Sequence, residues 1–257
     1  MQNEELNKHE KILKKKIFFI DSKWPQFQLL INDIKKFSVN KKKKKILSLE
    51  RGSLYGNISL FAPYFREKNF TSVDCSTKKI YSRGAYNKRL TVDNDLIKIP
   101  IDLHKDYKKL SFKKNTFDLI LIPNLMHHIF DHNYLLRSCR KFLKKNGTIY
   151  IFEPTLREIH QIPDDFFRFT PYGLKKILEN LDFKKVNFDT RGGPFTAAHY
   201  CLDQASQFLP KKEKKKFDSI FKVNNSSFFN LLDLKYKKNL VRKNNIFPTS
   251  FSIIATK

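Results

Sequence analysis

Hydrophobic positions along this chain follow two periods. Short, nearly continuous apolar runs recur at Ile46–Leu49 (ILSL), 69–74 (NFTSVD), 96–102 (LIKIPID), Phe117–Pro123 (FDLILIP) and Thr148–Pro154 (TIYIFEP). Such runs suit parallel strands covered on both faces. Between and after them the spacing turns helical. PQFQLLINDIKKF opens on Pro25, which suits a first helical turn. YLLRSCRKFL carries an apolar stripe and runs into KKNG, where Asn146–Gly147 predict the helix stop and turn. In FTPYGLKKILENLDF, Thr170 is placed to cap the helix, Pro171 sits in its first turn, and Leu174, Ile177 and Leu181 form the stripe. KKVNFD predicts a sixth strand and SFSIIATK a terminal one.

The alternation predicts an α/β fold with a mainly parallel sheet. Residues 1–44 are a basic, helical N-terminal extension and 45–191 the core. Residues 192–247 form a long excursion with helical stretches such as AAHYCLDQASQFL and FFNLLDLKYKKNL. A structureless loop of that length is improbable, so it is expected to be a helical insertion or lid. Residues 248–257 return as the last core strand, antiparallel beside the strand near 184–188. There is no internal repeat.

Composition narrows this further. With 257 residues, 40% hydrophobic and 30% charged, the chain is globular and long enough for one sizeable core. No apolar run approaches the length of about 18 residues that a membrane span needs. Cys75, Cys139 and Cys201 are odd in number and widely spaced, which predicts neither a disulfide framework nor a cysteine-based zinc site. A reduced, cytoplasmic setting is expected. The 51 Lys plus Arg against 25 Asp plus Glu give a net charge of +26. That field attracts polyanions nonspecifically. Because the excess is mostly dispersed lysine rather than arginine, it does not by itself designate a nucleic-acid substrate.

Ligands of open parallel sheets bind beyond the carboxyl ends of the strands. The first such connection is LERGSLYG, whose Gly52 and Gly56 allow close approach of a ligand. Asp74 ends the second strand and Asp102 the third, each readable as a ribose or ligand carboxylate or as a helix cap.

The assembled pattern resembles the class I S-adenosylmethionine-dependent methyltransferases, in particular the methyltransferase type 11 family. The resemblance runs from about Ile46 to Phe188 and is carried by FDLILIPNLMHHIFDHNYLLRSCRKFLKKNGTIYIFEP and HQIPDDFFRFTPYGLKKILENLDF. It implies a Rossmann-like methyltransferase fold with a seven-stranded, mainly parallel sheet and an antiparallel C-terminal strand. It also implies S-adenosyl-L-methionine as cofactor. ILSLERGSLYG aligns with the glycine-rich first motif, so Gly52 and Gly56 are expected against the methionine part. Asp74 matches the ribose-binding acid, Asp102 and Leu103 the adenine contact, and Asn124 the lining between cofactor and acceptor. Where the family places an acid inside the first strand and a glycine after it, this chain has Ser48 and Glu50. Glu50 either takes over the acidic role or obstructs the pocket.

His128 matches a histidine of the family, and with His160 it is a candidate base. Packing beneath the loop is the competing role for His128. Arg168 is placed either to clamp an anionic acceptor or to brace its loop through Asp164 or Asp165. His9, His104, His127, His132 and His199 belong to no evident constellation, and no metal is expected. The His160–Thr170 stretch resembles family members associated with surface saccharides. The expected reaction is therefore methyl transfer to a small polar or anionic acceptor, such as a saccharide or surface-polymer precursor. RNA methylation and a non-catalytic binding module are the alternatives. Oligomeric state is not specified by the sequence.

Overall fold

The computed structural model describes residues 27–38, 44–49, 70–74, 99–101, 103–160, 162–242 and 247–257. Glu50, Gly52, Gly56 and Asp102 lie outside the described residues, as does most of the basic N-terminal extension. Helix α1 (Phe27–Ser38) matches the expected PQFQLLINDIKKF segment. The strands are β1 (Ile46–Leu49), β2 (Phe70–Asp74), β3 (Ile99–Pro100), β4 (Phe117–Pro123), β5 (Leu143–Pro154), β6 (Lys184–Arg191) and β7 (Ser250–Thr256). They form a seven-stranded sheet in the order β3-β2-β1-β4-β5-β7-β6. Strand order reverses between β1 and β4, the point at which doubly wound sheets open a ligand crevice.

Pairing is parallel from β3 through β5, with Ser48 level with Ser72 on β2 and with Leu121 on β4. Leu119, Ile120, Leu121, Ile122, Ile149, Ile151 and Phe152 are buried, which explains why β4 and β5 read as unbroken apolar runs. Strand β7 runs against its neighbours. Thr249 N–H donates to the Arg191 carbonyl (2.9 Å) while Thr256 reaches Lys184, so chain numbers rise in opposite directions. The same holds toward β5, where Thr155 N–H donates to Thr249 O and Lys257 N–H to Gly147 O. The antiparallel terminal strand beside β6 is thus as expected.

Helix α2 (Leu103–Asp106) follows β3. Helix α3 (His132–Phe142) is capped by Asp131, which accepts the Tyr134 N–H, and buries Leu135, Leu136, Cys139 and Phe142. The expected stop at Asn146–Gly147 is a correction. The helix ends at Phe142, and KKNG belongs to β5 as an irregularity between the Phe117–Leu143 and Leu119–Thr148 pairs. The cause is tertiary. Leu143 is buried, and Lys144 Nζ is drawn to both carboxylate oxygens of Asp118 (2.9 and 2.8 Å). Gly147 is needed because a Cβ there would lie 2.9 Å from the Lys144 carbonyl oxygen. In α4 (Pro171–Asn180), Thr170 accepts the Gly173 N–H as expected. Leu178, rather than Ile177, joins Leu174 in the buried stripe.

The chain divides into two compact units, 33–154 with 158–189 and 252–257, and 1–32 with 155–157 and 190–251. The second contains α5 (Pro194–Ser206), α6 (Lys211–Ile220) and α7 (Ser226–Arg242). Its organising contact is Asp233 of α7. That carboxylate accepts the Phe195 and Thr196 N–H groups (3.1 and 2.9 Å) and the Thr196 hydroxyl (2.5 Å), capping α5 from outside the helix. No described helix is long and apolar enough to cross a membrane.

Candidate functional site

The connection leaving β4 is built by one buried carboxylate. Glu153, near the end of β5, is fully buried. Its Oε1 accepts the Leu125 N–H (2.9 Å) and the Met126 N–H (2.7 Å), and its Oε2 the His127 N–H (3.3 Å). Oε2 also takes a hydrogen bond from His127 Nδ1 at 2.6 Å. A buried carboxylate is tolerated only when hydrogen bonds satisfy its oxygens, and here four do so. They wind Met126–His128 into a single 3-10 turn and bury His127 and His128. Just before that turn, Asn124 adopts φ 57° and donates its N–H to Phe152 O (2.6 Å). Asparagine is among the few non-glycine residues that accept this left-handed geometry.

A second loop is stitched to the first. Phe166 and Phe167 N–H donate to the His127 carbonyl (2.9 and 3.2 Å), and His128 Nδ1 donates to the Asp164 carbonyl. Within that loop Arg168 grips Asp165 bidentately (2.6 and 2.8 Å) and donates further to the Phe167 and Glu158 carbonyls. Asp165 in turn accepts the His160 N–H (2.8 Å), and its Oδ2 lies 3.2 Å from His160 Nδ1. Burial pushes the Asp165 carboxyl up. The Arg168 hydrogen bonds, the His160 backbone and the neighbouring charges outweigh this and hold it at about 2. Of the two readings of Arg168, the geometry carries the brace.

The stitching gathers imidazoles. His127 and His128 have ring centroids 3.9 Å apart, His128 and His160 4.9 Å, and His127 and His160 5.4 Å. His104 of α2 stacks on His128 at 4.6 Å, with Nδ1 3.8 Å from Asp164 Oδ2. The candidate bases His128 and His160 are therefore neighbours, as one site requires. His104 and His127, which belong to no evident constellation in the sequence, stand in the same cluster. Glu153 was likewise not singled out. Its signal was a carboxylate within the apolar run TIYIFEP, and His127–His128 was an adjacent pair.

On the cofactor side, the described residues are fewer. Asp74 ends β2, level with Pro100 of β3, and Leu103 is buried at the start of α2. Ser48 occupies the buried middle of β1, and its hydroxyl has no hydrogen-bond partner among the described residues. Asn124 Oδ1 is also buried without a partner among them. A buried acceptor without a donor is costly, so a ligand amine at the end of β4 would find a ready acceptor there.

Comparison with known proteins agrees with the fold. Residues 49–151 match the family model described as a methyltransferase domain. These residues form a class I S-adenosylmethionine-dependent methyltransferase domain. Among solved structures, a SAM-dependent methyltransferase from Archaeoglobus fulgidus is similar at 15% identity and TM-score 0.50, covering 94% of this chain and 99% of that one. Phosphoethanolamine N-methyltransferase 2 of Haemonchus contortus, solved with S-adenosyl-L-methionine, is similar at 15% identity and TM-score 0.50. It covers 91% of this chain, which spans about half (52%) of that protein. At these identities the likeness is one of fold. No curated protein sequence matches the chain.

The cofactor of the methyltransferase domain is S-adenosyl-L-methionine. The orphaned Asn124 acceptor at the carboxyl end of β4 fits its amine group, while the Asp74 side chain lies outside the described residues. Bound there, it supplies an electrophilic methyl on a sulfonium.

Proposed function

We propose that this methyltransferase acts on a small polar or anionic acceptor, with a saccharide or surface-polymer precursor as the specific class. The observation that carries the reading is the enclosed polar cluster immediately after β4, where Asn124 is followed by buried His127 and His128. An enclosed, hydrogen-bonding site suits a compact acceptor better than a duplex or strand, whose recognition needs an exposed basic track. The arginine of this site, Arg168, faces Asp165. The saccharide preference rests on the resemblance of the His160–Thr170 stretch.

In the chain without a bound ion, the protonated Nδ1 atoms of His128 and His160 leave each Nε2 as the basic nitrogen. A hydroxyl acceptor requires such a base, whereas an amine acceptor needs only alignment and exclusion of water. On the cofactor side, Asp74 holds the ribose hydroxyls, Asp102 and Leu103 meet the adenine, and Gly52 and Gly56 lie along the methionine part. Glu50 either stands in for the acid that Ser48 replaces or obstructs the pocket.

Calorimetric titration with S-adenosylhomocysteine tests the first step, and Asp74→Ala should weaken binding by about 1.5–3 kcal/mol. Glu50→Gln should weaken it as well, whereas improved binding in Glu50→Gly would identify Glu50 as an obstruction. Methyl transfer is then screened against nucleotide sugars, simple saccharides and structured RNA. Transfer to RNA alone, or no cofactor binding at all, overturns the reading.

A further inference from the structure

We propose that His127, His128 and His160 form a binding site for a divalent late first-row transition-metal ion, zinc being the reference case. One ligand atom from each of the three lies within 4.8 Å of the others. Three nitrogens around one ion at about 2.1 Å sit about 3.4 Å apart in a tetrahedral array, so adjustments of the order of an ångström close the site.

Protonation geometry selects the metal-facing atoms. His127 Nδ1 faces the Glu153 carboxylate, His128 Nδ1 the Asp164 carbonyl, and His160 Nδ1 the Glu158 carbonyl at 3.0 Å and the Asp165 carboxylate. All of these partners are acceptors only, so each Nδ1 carries the proton and each Nε2 keeps its lone pair. Carboxylates and carbonyls behind the outer nitrogen are the usual way a metal-ligating imidazole is oriented and made more basic. His127 is fully buried, and its Nε2 has no hydrogen-bond partner among the described residues. A buried imidazole nitrogen in that state lacks the interaction that would compensate its desolvation, and a metal ion supplies it.

Electrostatics distinguish a cation from an anion. Although the chain as a whole carries a large positive charge, Glu153, Asp164 and Asp165 all stand behind this cluster. Even with the Arg168 guanidinium paired to Asp165, the three carboxylates leave a net negative charge behind the imidazoles, which favours a cation there over a bound phosphate. Imidazole donors select zinc, cobalt, nickel or copper over magnesium and calcium, which prefer oxygen. Three protein ligands leave coordination positions open, the pattern of a site that also takes water or a substrate oxygen rather than a closed structural one. An ion there would convert the imidazoles from bases into ligands.

The test uses the full-length chain after chelator treatment, titrated with zinc by calorimetry and with cobalt by visible absorption. One zinc should bind per chain, and cobalt should show the intense d–d bands of a low-coordinate nitrogen site. His160→Gln, which alters a loop residue, should weaken zinc binding by about 10–100-fold, and Glu153→Gln by a comparable factor through His127. The pair His127→Gln with His128→Gln should abolish it. Thermal melts establish that each variant is folded, and if the double variant is not, His160→Gln carries the test. Absence of zinc binding in the native chain, or unchanged binding in folded His160→Gln, overturns the site. S-adenosylhomocysteine is titrated into the chelator-treated chain alongside. Cofactor binding without zinc binding defeats the metal site alone, and zinc binding without cofactor binding defeats the methyl-transfer reading alone.

Discussion

Glu153 and Asp233 perform the same physical task in two regions of the molecule and end with opposite consequences. Each is a largely buried carboxylate that accepts successive backbone N–H groups, Leu125 to His127 in one case and Phe195 and Thr196 in the other. Around Asp233 the network closes, because the remaining contact is the Thr196 hydroxyl, which also bonds Asn230. Around Glu153 it stays open. The remaining contact there is the His127 imidazole, whose far nitrogen has no hydrogen-bond partner among the described residues. Buried polar networks are normally completed. An incomplete one marks the place where the protein expects something else, and a complete one marks architecture.

Removing the open network's carboxylate should have the largest effect. Glu153→Leu leaves three backbone N–H groups and an imidazole without their acceptor, and urea denaturation should show a loss of about 3–5 kcal/mol. A loss below about 1 kcal/mol would mean that the turn after β4 is held by something other than Glu153.

Asp233→Ala should cost about 1–2 kcal/mol, the range of a lost helix cap. The sharper comparison is functional. Asp233→Ala should leave zinc affinity unchanged where Glu153→Gln lowers it, and equal changes in both would erase the distinction between closed and open networks.

Next in size is Gly193→Ala. The added Cβ would lie 2.3 Å from Asp233 Oδ1, so the carboxylate must move off the α5 N-terminus. A loss of about 1–2 kcal/mol is expected, within the range for overpacking. In the double variant with Asp233→Ala the two losses should not add, because the clash disappears with the carboxylate. Additive losses would show that the glycine serves the backbone rather than the carboxylate.

The smallest effect is chemical. Burial pushes the Cys139 thiol in α3 up to about 12, whereas Cys201 in α5 is exposed. Because the thiolate is the nucleophile, Cys139 stays protonated and inert through neutral and mildly alkaline pH. Alkylation of the native protein at pH 8 followed by peptide mapping should label Cys201 and spare Cys139. Rapid labelling of Cys139 would show that the α3 packing opens readily.

How much of this was legible follows from the range of each signal. Strands β1, β4, β5 and β7 were readable because burial on a sheet imposes local apolar runs. The Thr170–Pro171 start of α4 was readable because a cap acts within one turn. The stop after α3 was misplaced because Asn146–Gly147 carries a turn signal of its own, while Lys144–Asp118 pairing and Leu143 burial, both long-range, place those residues in β5.

By itself the sequence determined the α/β alternation, the helical nature of residues 192–242 and the candidate pair His128 and His160. Only the tertiary structure decided that His104, His127, His128 and His160 share one cluster, that Glu153 orients it, and that Arg168 braces a loop. Those residues leave three different strands, β3, β4 and β5, and no local period relates them. Strand patterns are written residue by residue by burial, whereas a site is assembled by the order in which a sheet sets its strands side by side. That order is a property of the folded chain as a whole.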